Sequence, residues 1–289
     1  MIENKEISAL FHLIDDPDEE VFHSVSDKIV SLGRGILPNL ENLWENTPDE
    51  ALQARIALII HKLNFRDLQE EFINWKNDDR DLMQGALLVS KFINPDQQPN
   101  QTLHEVEKIR RNIWLELNSY LTSLEQAGVI SGILFSYYKL RGNEISYDLP
   151  EDFLVTKLVE NKRGNALSNG ILYLSLCQML DVPVKAIQIP RQFILAYFDS
   201  GYRYAHPIQQ QEEKISFFID PLNGQVYSQK DVKNYFQRIS VPSVASYYRP
   251  LNNKQVIRYL LEELAKCFEK PEQSQMKNDL ITIAKILAE

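Results

Sequence analysis

The fold of this chain is decided by RGNA at residues 163–166, SNGILYLSLCQML at 168–180, VPVKAIQI at 182–189, FILAYFD at 193–199 and ISFFIDP at 215–221. The second segment has apolar residues on nearly every face of a helix, and such a helix is normally buried against a sheet. The last three segments are rich in β-branched and aromatic residues and have the length of strands. The pattern therefore predicts one central helix packed on an antiparallel sheet.

Short motifs flank these segments in a fixed order: a glycine-led motif before the helix, a turn after it, a strand start and a strand end. They read GNA at 164–166, DVP at 181–183, PRQF at 190–193 and DPLNG at 220–224, and RGN at 141–143 lies upstream of them. In order and spacing, these motifs resemble the core of the transglutaminase-like superfamily and most closely its SirB-type bacterial branch. The resemblance covers roughly residues 105–224 well and the remainder more weakly.

In active members of this superfamily, a Cys nucleophile, a His base and an Asp occupy three of the motif positions. The resemblance places Ala166, Gln192 and Asp220 there, so only the third residue is kept. A thiol attack needs a sulfur and a neighbouring imidazole that stabilises the thiolate or takes its proton. Alanine supplies no nucleophile, and a Gln amide does not accept a proton near neutral pH. The resemblance therefore implies an α+β fold with a transglutaminase-like or papain-like core, and a pseudoenzyme with a vestigial triad.

Other side chains near these positions offer few replacements. Cys177 lies eleven residues beyond Ala166, ~16 Å along the helix axis, too far to replace the thiol. Ser168 is closer but on a different helix face, where its hydroxyl is expected to cap backbone N–H groups. Asp220 can end a strand by accepting turn N–H bonds, and we expect Gln192 and Asp220 to lie on neighbouring strands with their side chains within hydrogen-bonding distance or one water apart. The candidate neighbours of the cleft are Asn165, Ser168, Arg191 and Asn223.

Composition and charge limit the classes of partner. The chain has 289 residues, 44% of them hydrophobic, which is enough for a buried core in two or three domains. Its formal net charge of −9 argues against nonspecific binding to nucleic acid or to anionic membranes. The start MIENKEISALFHLIDD is unlike a signal peptide, and no apolar run reaches the ~20 residues of a membrane span. We therefore predict a soluble, cytoplasmic protein.

The sequence does not indicate a metal or cofactor site. The five His residues are scattered, and no cluster of Cys, His and carboxylate residues has the spacing of zinc ligands. A glycine-rich phosphate loop is also missing from the sequence. Cys177 and Cys267 fall in separate helical patterns, so a disulfide between them is not expected. We therefore predict that the protein has no cofactor.

Residues 1–98 are predicted to form an α-helical domain of HEAT-like repeats. Apolar residues recur there at helical spacing, and Asp- and Pro-containing helix starts recur near residues 15–20 and 47–50. The polar segment NPDQQPNQT at 94–102 predicts the domain boundary. The core domain, residues 103–240, is then expected to begin with helices at 103–127, 130–140 and 152–160. Its polar insertion at 207–214 is interpreted as an exposed hairpin tip.

Residues 241–289 are predicted to form a C-terminal helical hairpin, with helices at 254–268 and 272–288. In the SirB-type branch, this tail looks tetratricopeptide-like. Helix pairs of this kind commonly present surfaces to partners, although a single pair is equally compatible with a plain cap on the core.

Two functions are compatible with the sequence, besides a purely structural role. The leading hypothesis is a non-catalytic transglutaminase-like protein that acts as a binding or scaffold module for a protein or peptide partner. The alternative is a cysteine-independent hydrolase or transferase that uses Ser168 and Asp220 in an altered site, which would need a base within hydrogen-bonding reach of Ser168.

Overall fold

The computed structural model describes residues 4–78, 81–95, 97–198 and 214–288. The chain divides into two compact units, Met1–Glu71 and Phe72–Glu289. The described helices include none that is long and apolar enough to cross a membrane.

The first unit is helical. Its helices are α1 (Asn4–His12), α2 (Glu19–Ser31), α3 (Leu37–Asn46) and the first part of α4 (Glu50–Asp78). Two acidic residues cap helices as the sequence predicts: Asp18 accepts a hydrogen bond from Glu20 N, and Asp49 accepts one from Leu52 N. The apolar stripes meet in one core that contains Ile14, Phe22, Ile29, Leu40, Ile56 and Ile59. The helical character is confirmed, whereas the HEAT-like repeat stays a prediction.

The second unit begins with helices that surround its centre. They are α5 (Leu82–Ile93), α6 (Pro99–Glu116), α7 (Ser123–Ser131) and α8 (Val155–Asn161), and a π-helical turn at Gly132–Tyr137 continues α7. Two short strands, β1 (Arg141–Asn143) and β2 (Arg163–Asn165), pair in parallel and lead the chain to the central helix.

The central helix α9 (Ala166–Met179) packs on an antiparallel sheet in the order β3 (Val184–Ile189), β4 (Gln192–Phe198), β5 (Ile215–Ile219) and β6 (Val226–Tyr227). Every residue from 167 to 177 of α9 is buried, as expected of a helix that is apolar on nearly every face. The structure therefore confirms an α+β fold with a small antiparallel sheet on a central helix.

The sheet face that points away from α9 is covered by α10 (Gln229–Arg238) and a 3-10 turn at Ala245–Tyr248. Their buried side chains join those of the strands in a second core that contains Ile194, Ala196, Phe218, Val232, Phe236 and Tyr248. The chain ends in a hairpin of α11 (Asn253–Ala265) and α12 (Ser274–Ala288), as predicted, and α11 also packs on α5.

The single helix predicted for residues 103–127 is wrong. α6 ends at Glu116, and α7 begins only at Ser123. The Thr122 hydroxyl accepts a hydrogen bond from Glu125 N while the Glu125 carboxylate accepts one from Thr122 N, a capping box that starts a new helix. Tyr120 lies between the two helices and is 93% exposed.

The division between the two compact units lies at Glu71 and Phe72, and the domain bounds predicted from the sequence stay a prediction. This division falls within α4, and α5 belongs to the second unit because it packs on α8, α9 and α11. Gly85 of α5 leaves no room for a Cβ between Trp75 and Ile257, which shows how closely these elements approach. The predicted hairpin tip at 207–214 lies, except for Lys214, outside the described residues.

Candidate functional site

The N-terminus of α9 is held by a buried capping box. Asn165 Oδ1 accepts hydrogen bonds from Leu167 N (2.9 Å) and Ser168 N (3.1 Å). Ser168 Oγ accepts one from Asn165 N (3.0 Å) and donates one to Asp152 O (2.7 Å). Three of these bonds satisfy backbone N–H groups that have no carbonyl partner within the helix. Ser168 is therefore a cap, as its sequence position predicts.

The turn between β3 and β4 contains Arg191 and leads into Gln192, two residues of the PRQF motif. Ile189 pairs with Gln192, so Pro190 and Arg191 are the central residues of a two-residue hairpin. Arg191 has φ 65°. Proline at the first central position and positive φ at the second match a type II turn, where Gly or Asn is the usual second residue. Arg191 thus adopts a strained backbone conformation at the start of β4.

Asp220 follows β5 directly and organises the turn to β6. Its Oδ1 accepts a hydrogen bond from Leu222 N (2.9 Å), and its Oδ2 accepts one from Tyr227 Oη (3.4 Å). Burial, followed by the charge of Asp220, raises the pKa of Tyr227. The expectation that Asp220 ends a strand by binding a turn N–H is confirmed.

A pocket of about 880 Å³ brings together Ala166, Gln192 and Asp220, the three positions that the family resemblance assigns to a triad. It is lined by Ala166 at the start of α9, by Gln192 at the start of β4 and by Asp220 at the end of β5. Gln192 begins β4, and Asp220 directly follows the neighbouring strand β5, as expected. Among the described residues, no direct hydrogen bond joins their side chains. The carboxylate oxygens of Asp220 take their hydrogen bonds from Leu222 and Tyr227 instead.

The four candidate cleft neighbours lie in different places. The described lining of the pocket contains Arg191 but not Asn165, Ser168 or Asn223. Asn165 and Ser168 are buried in the cap of α9. Asn223 is exposed, and its Oδ1 accepts a hydrogen bond from Gln225 N (2.8 Å) within the turn. Asn165, Ser168 and Asn223 therefore bind backbone groups near the pocket and are not part of its described lining.

One wall of the pocket comes from α11, for which the sequence predicts only a place in a helical hairpin. Glu263 is 7% exposed, and its carboxylate accepts hydrogen bonds from Tyr147 Oη (2.7 Å) and Lys266 Nζ (2.6 Å). Tyr259 stacks on Phe193 at 6.0 Å, and burial, followed by the charge of Glu263, raises its pKa to about 12. Helical spacing places Tyr259, Glu263 and Lys266 on one face, a signal that was present in the sequence.

A second wall comes from α10. Asp231, Asn234, Tyr235 and Arg238 line the pocket and repeat at helical spacing. Val232 also lines the pocket, and together with Phe236 it packs in the core on the sheet. Tyr235 Oη donates a hydrogen bond to Pro190 O (2.8 Å), which ties this helix to the β3–β4 turn. The guanidinium of Arg238 lies 5.6 Å from the centre of the Tyr235 ring.

The cysteines and the metal-binding residue types lead to no second site. Cys177 and Cys267 are both free, and burial raises the pKa of both thiols, that of Cys267 to about 12. In the described part of the chain, no group of three or more His, Cys, Asp or Glu residues could hold a metal ion.

The motifs imply that the first residue of a buried central helix lies in a pocket together with the ends of two strands. The structure has this arrangement. The model of the transglutaminase-like superfamily matches residues 100–262, more than half of the chain. The chain belongs to this superfamily.

Curated relatives support the SirB-type branch. The UPF0162 protein YchA of Escherichia coli strain K12 is 24% identical over 198 residues, which cover 68% of this chain and 69% of YchA. Protein SirB1 of Salmonella typhimurium is 22% identical over 198 residues, with the same coverage of 68% and 69%. A UPF0162 protein of Vibrio cholerae is 25% identical over 152 residues, 53% of this chain and 52% of that protein. No solved structure matches the chain.

Proposed function

We propose that this protein is a non-catalytic member of the superfamily whose pocket binds a protein or peptide partner. The observation that carries the proposal is the lining of the pocket by Ala166 and Gln192. At these positions, active members of the superfamily have the nucleophile and the base. A methyl group and a neutral amide at these positions leave a binding surface without the groups that thiol chemistry requires.

The remaining nucleophile candidates do not replace the missing thiol. Cys177 is fully buried, and burial raises its pKa, which disfavours the reactive thiolate. Ser168 Oγ is engaged with Asp152 O and Asn165 N in the cap of α9. The alternative function, a hydrolase or transferase based on Ser168 and Asp220, would have to break this cap before any attack.

The pocket itself suits a ligand. Its volume of about 880 Å³ lies within the range of ordinary ligand sites. Tyr147, Phe193, Tyr227, Tyr235 and Tyr259 line it, and aromatic side chains supply much of the contact energy in recognition sites. We regard the division into residues 1–98, 103–240 and 241–289, the HEAT-like and tetratricopeptide-like character of the flanking helices, the scaffold role and the cytoplasmic location as parts of this proposal.

The experiment restores the missing pair with Ala166→Cys and Gln192→His. In the double variant, an adjacent imidazolium should lower the pKa of the new thiol below about 7.5, so that it is alkylated rapidly near neutral pH. Ala166→Cys alone is the matched control and should react more slowly. The background is low because both native thiols have raised pKa values.

The unmodified protein should show no thiol-dependent hydrolysis of amides and no acyl transfer. Amide hydrolysis by the unmodified protein that disappears in Ser168→Ala would overturn the proposal in favour of the alternative. A double variant that reacts no faster than the single variant would show that positions 166 and 192 do not form a family-like site.

A further inference from the structure

We infer that the pocket holds a carboxylate group of its peptide partner between the guanidinium groups of Arg191 and Arg238. The inference rests on the proposed function, because it assigns the chemistry of the ligand that the same pocket would bind.

The first support is the backbone of Arg191. Its φ of 65° lies in the left-handed region, at a turn position that Gly or Asn adopts more easily. In backbone conformation, arginine has no advantage over Gly or Asn at this position, since its Cβ is the source of the strain. Strained residues cluster at ligand sites, where the side chain has a use that outweighs the strain. Arg191 lines the pocket, so its side chain is available for such a use.

The second support is the position of Arg238 relative to the same turn. Tyr235 Oη is hydrogen-bonded to the carbonyl of Pro190, the residue before Arg191. The guanidinium of Arg238 packs over the ring of Tyr235, within the range of a cation–π contact. Arg191 and Arg238 therefore both line the pocket, and the hydrogen bond of Tyr235 fixes α10 to the turn that carries Arg191.

The third support is the charge that surrounds the two arginines. Among the described residues, neither guanidinium has a carboxylate within ion-pair distance, although the chain as a whole carries a net charge of −9. Lys266, the other cation of the lining, is already paired with Glu263 at 2.6 Å. A planar guanidinium offers parallel N–H donors that match the two oxygens of a carboxylate.

The lining also favours a carboxylate over a phosphate group. Its described acidic residues outnumber its basic ones, with Glu144, Asp220, Asp231 and Glu263 against Arg191, Arg238 and Lys266. A phosphate group carries nearly two negative charges at neutral pH and would be repelled more strongly by these carboxylates. The ligand we assign is therefore a peptide with an Asp, a Glu or a free C-terminal carboxylate.

The test is a display selection of random linear peptides against the full-length protein, followed by calorimetric titration of synthetic copies. We expect the enriched peptides to share an acidic residue, or a required free C-terminus, and to lose binding to the pocket-filling variant Ala166→Trp. Amidated copies distinguish a C-terminal carboxylate from a side-chain carboxylate. Circular dichroism checks that each variant is folded.

Three variants assign the contact. Arg191→Gly and Arg238→Gln should each weaken binding about tenfold, the loss expected for one charge-assisted hydrogen bond. Lys139→Gly is the matched control, because Lys139 also has positive φ (59°) and is exposed, but lies outside the described lining. It should bind like the unmodified protein. Replacing the acidic residue of the peptide by its amide should cost more than either variant alone, because it removes both contacts, and the same replacement should cost less in Arg191→Gly than in the unmodified protein.

The outcomes separate this inference from the proposed function. Peptides that lack a carboxylate but still require the open pocket would overturn the inference alone. Tighter binding of a peptide in which phosphoserine replaces the acidic residue would also overturn it. If no peptide is enriched, or if binding survives Ala166→Trp, peptide binding in the pocket fails together with the inference.

Discussion

The start of α9 and the β3–β4 turn lie on the same pocket but use their polar groups in opposite ways. At the start of α9, the polar side chains of Asn165 and Ser168 are buried and hydrogen-bonded to backbone groups of the fold. At the turn, Arg191 sits in a strained backbone conformation, and its guanidinium is exposed on the pocket. The polar side chains at the helix start are bonded within the fold, whereas the turn has positive φ at a residue whose side chain lines the pocket.

The same contrast extends to the walls of the pocket. The carboxylate of Glu263 is buried with Tyr147 and Lys266 as partners, so it is satisfied within the protein. Arg238 contacts the face of Tyr235 and is otherwise exposed on α10. A ligand therefore meets a wall on α11 whose charges are already paired, and a rim of arginines at the turn and on α10.

The largest effect is expected from Asn165→Ala at the start of α9. The change removes an acceptor from two buried N–H groups, those of Leu167 and Ser168. The free energy of unfolding should fall by about 2 kcal/mol, because buried donors left without a partner lose their hydrogen bonds and stay out of water. Chemical denaturation monitored by circular dichroism measures this loss.

Ser228→Ala provides the matched control, because Ser228 caps α10 through the same kind of capping box in an exposed position. Water can replace the lost bond there, so the expected loss is about 1 kcal/mol or less. Equal losses for the two variants would mean that burial of the α9 cap adds nothing to stability, and the contrast with the turn would disappear.

A smaller effect of opposite sign is expected from Arg191→Gly. Glycine adopts positive φ without a clash of its Cβ, so the free energy of unfolding should rise by about 0.5–1 kcal/mol after allowance for the greater freedom of the unfolded chain. The same denaturation experiment measures the gain. Arg191→Ala is the control, since alanine keeps the Cβ and should give no gain. A loss of stability in Arg191→Gly would show that the arginine supports the turn, and would remove the argument from strain.

Much of this architecture could be predicted from the sequence because local patterns determine it. The apolar run of α9 and the strand-like segments after it predict a buried helix on a sheet in any arrangement that hides them. The capping role of Ser168 and the strand-ending role of Asp220 are also local, since each binds backbone groups two or three residues away or at a neighbouring turn. Such roles follow from residue type and spacing.

Other features depend on competition between local sequence signals or on tertiary contacts. The apolar period runs without interruption through Leu117, Leu121 and Leu124, so it predicts one helix, although the cap signal of Thr122 and Glu125 in fact divides it. Nothing in the PRQF motif indicates that Arg191 takes positive φ. The face of α11 with Tyr259 and Glu263 can be identified from spacing, but the element that it faces is decided by packing between distant parts of the chain.

The smallest effect we predict concerns Tyr259, which tests whether the α11 wall belongs to the fold. Burial, followed by the charge of Glu263, raises its pKa from 10.0 to about 12. The unfolded chain therefore loses this proton at lower pH than the folded protein does. Stability from this group is fully present below pH 10 and is lost as the pH rises from about 10 to 12. Tyr259→Phe should make the decline in stability shallower in this range, as measured by denaturation at successive pH values.

Tyr227→Phe is the control for this measurement. The pKa of Tyr227 is also raised by burial and by a nearby carboxylate, but Tyr227 lies at the β6 end of the pocket. If Tyr259→Phe leaves the slope unchanged while Tyr227→Phe reduces it, Tyr259 is in contact with water, and the α11 wall is open to a ligand like the rim. If Tyr259→Phe leaves the denaturation midpoint near neutral pH unchanged and makes the decline in stability at alkaline pH shallower, Tyr259 belongs to the buried part of the pocket wall. A phenol whose pKa is raised in this way is one that the fold keeps from water.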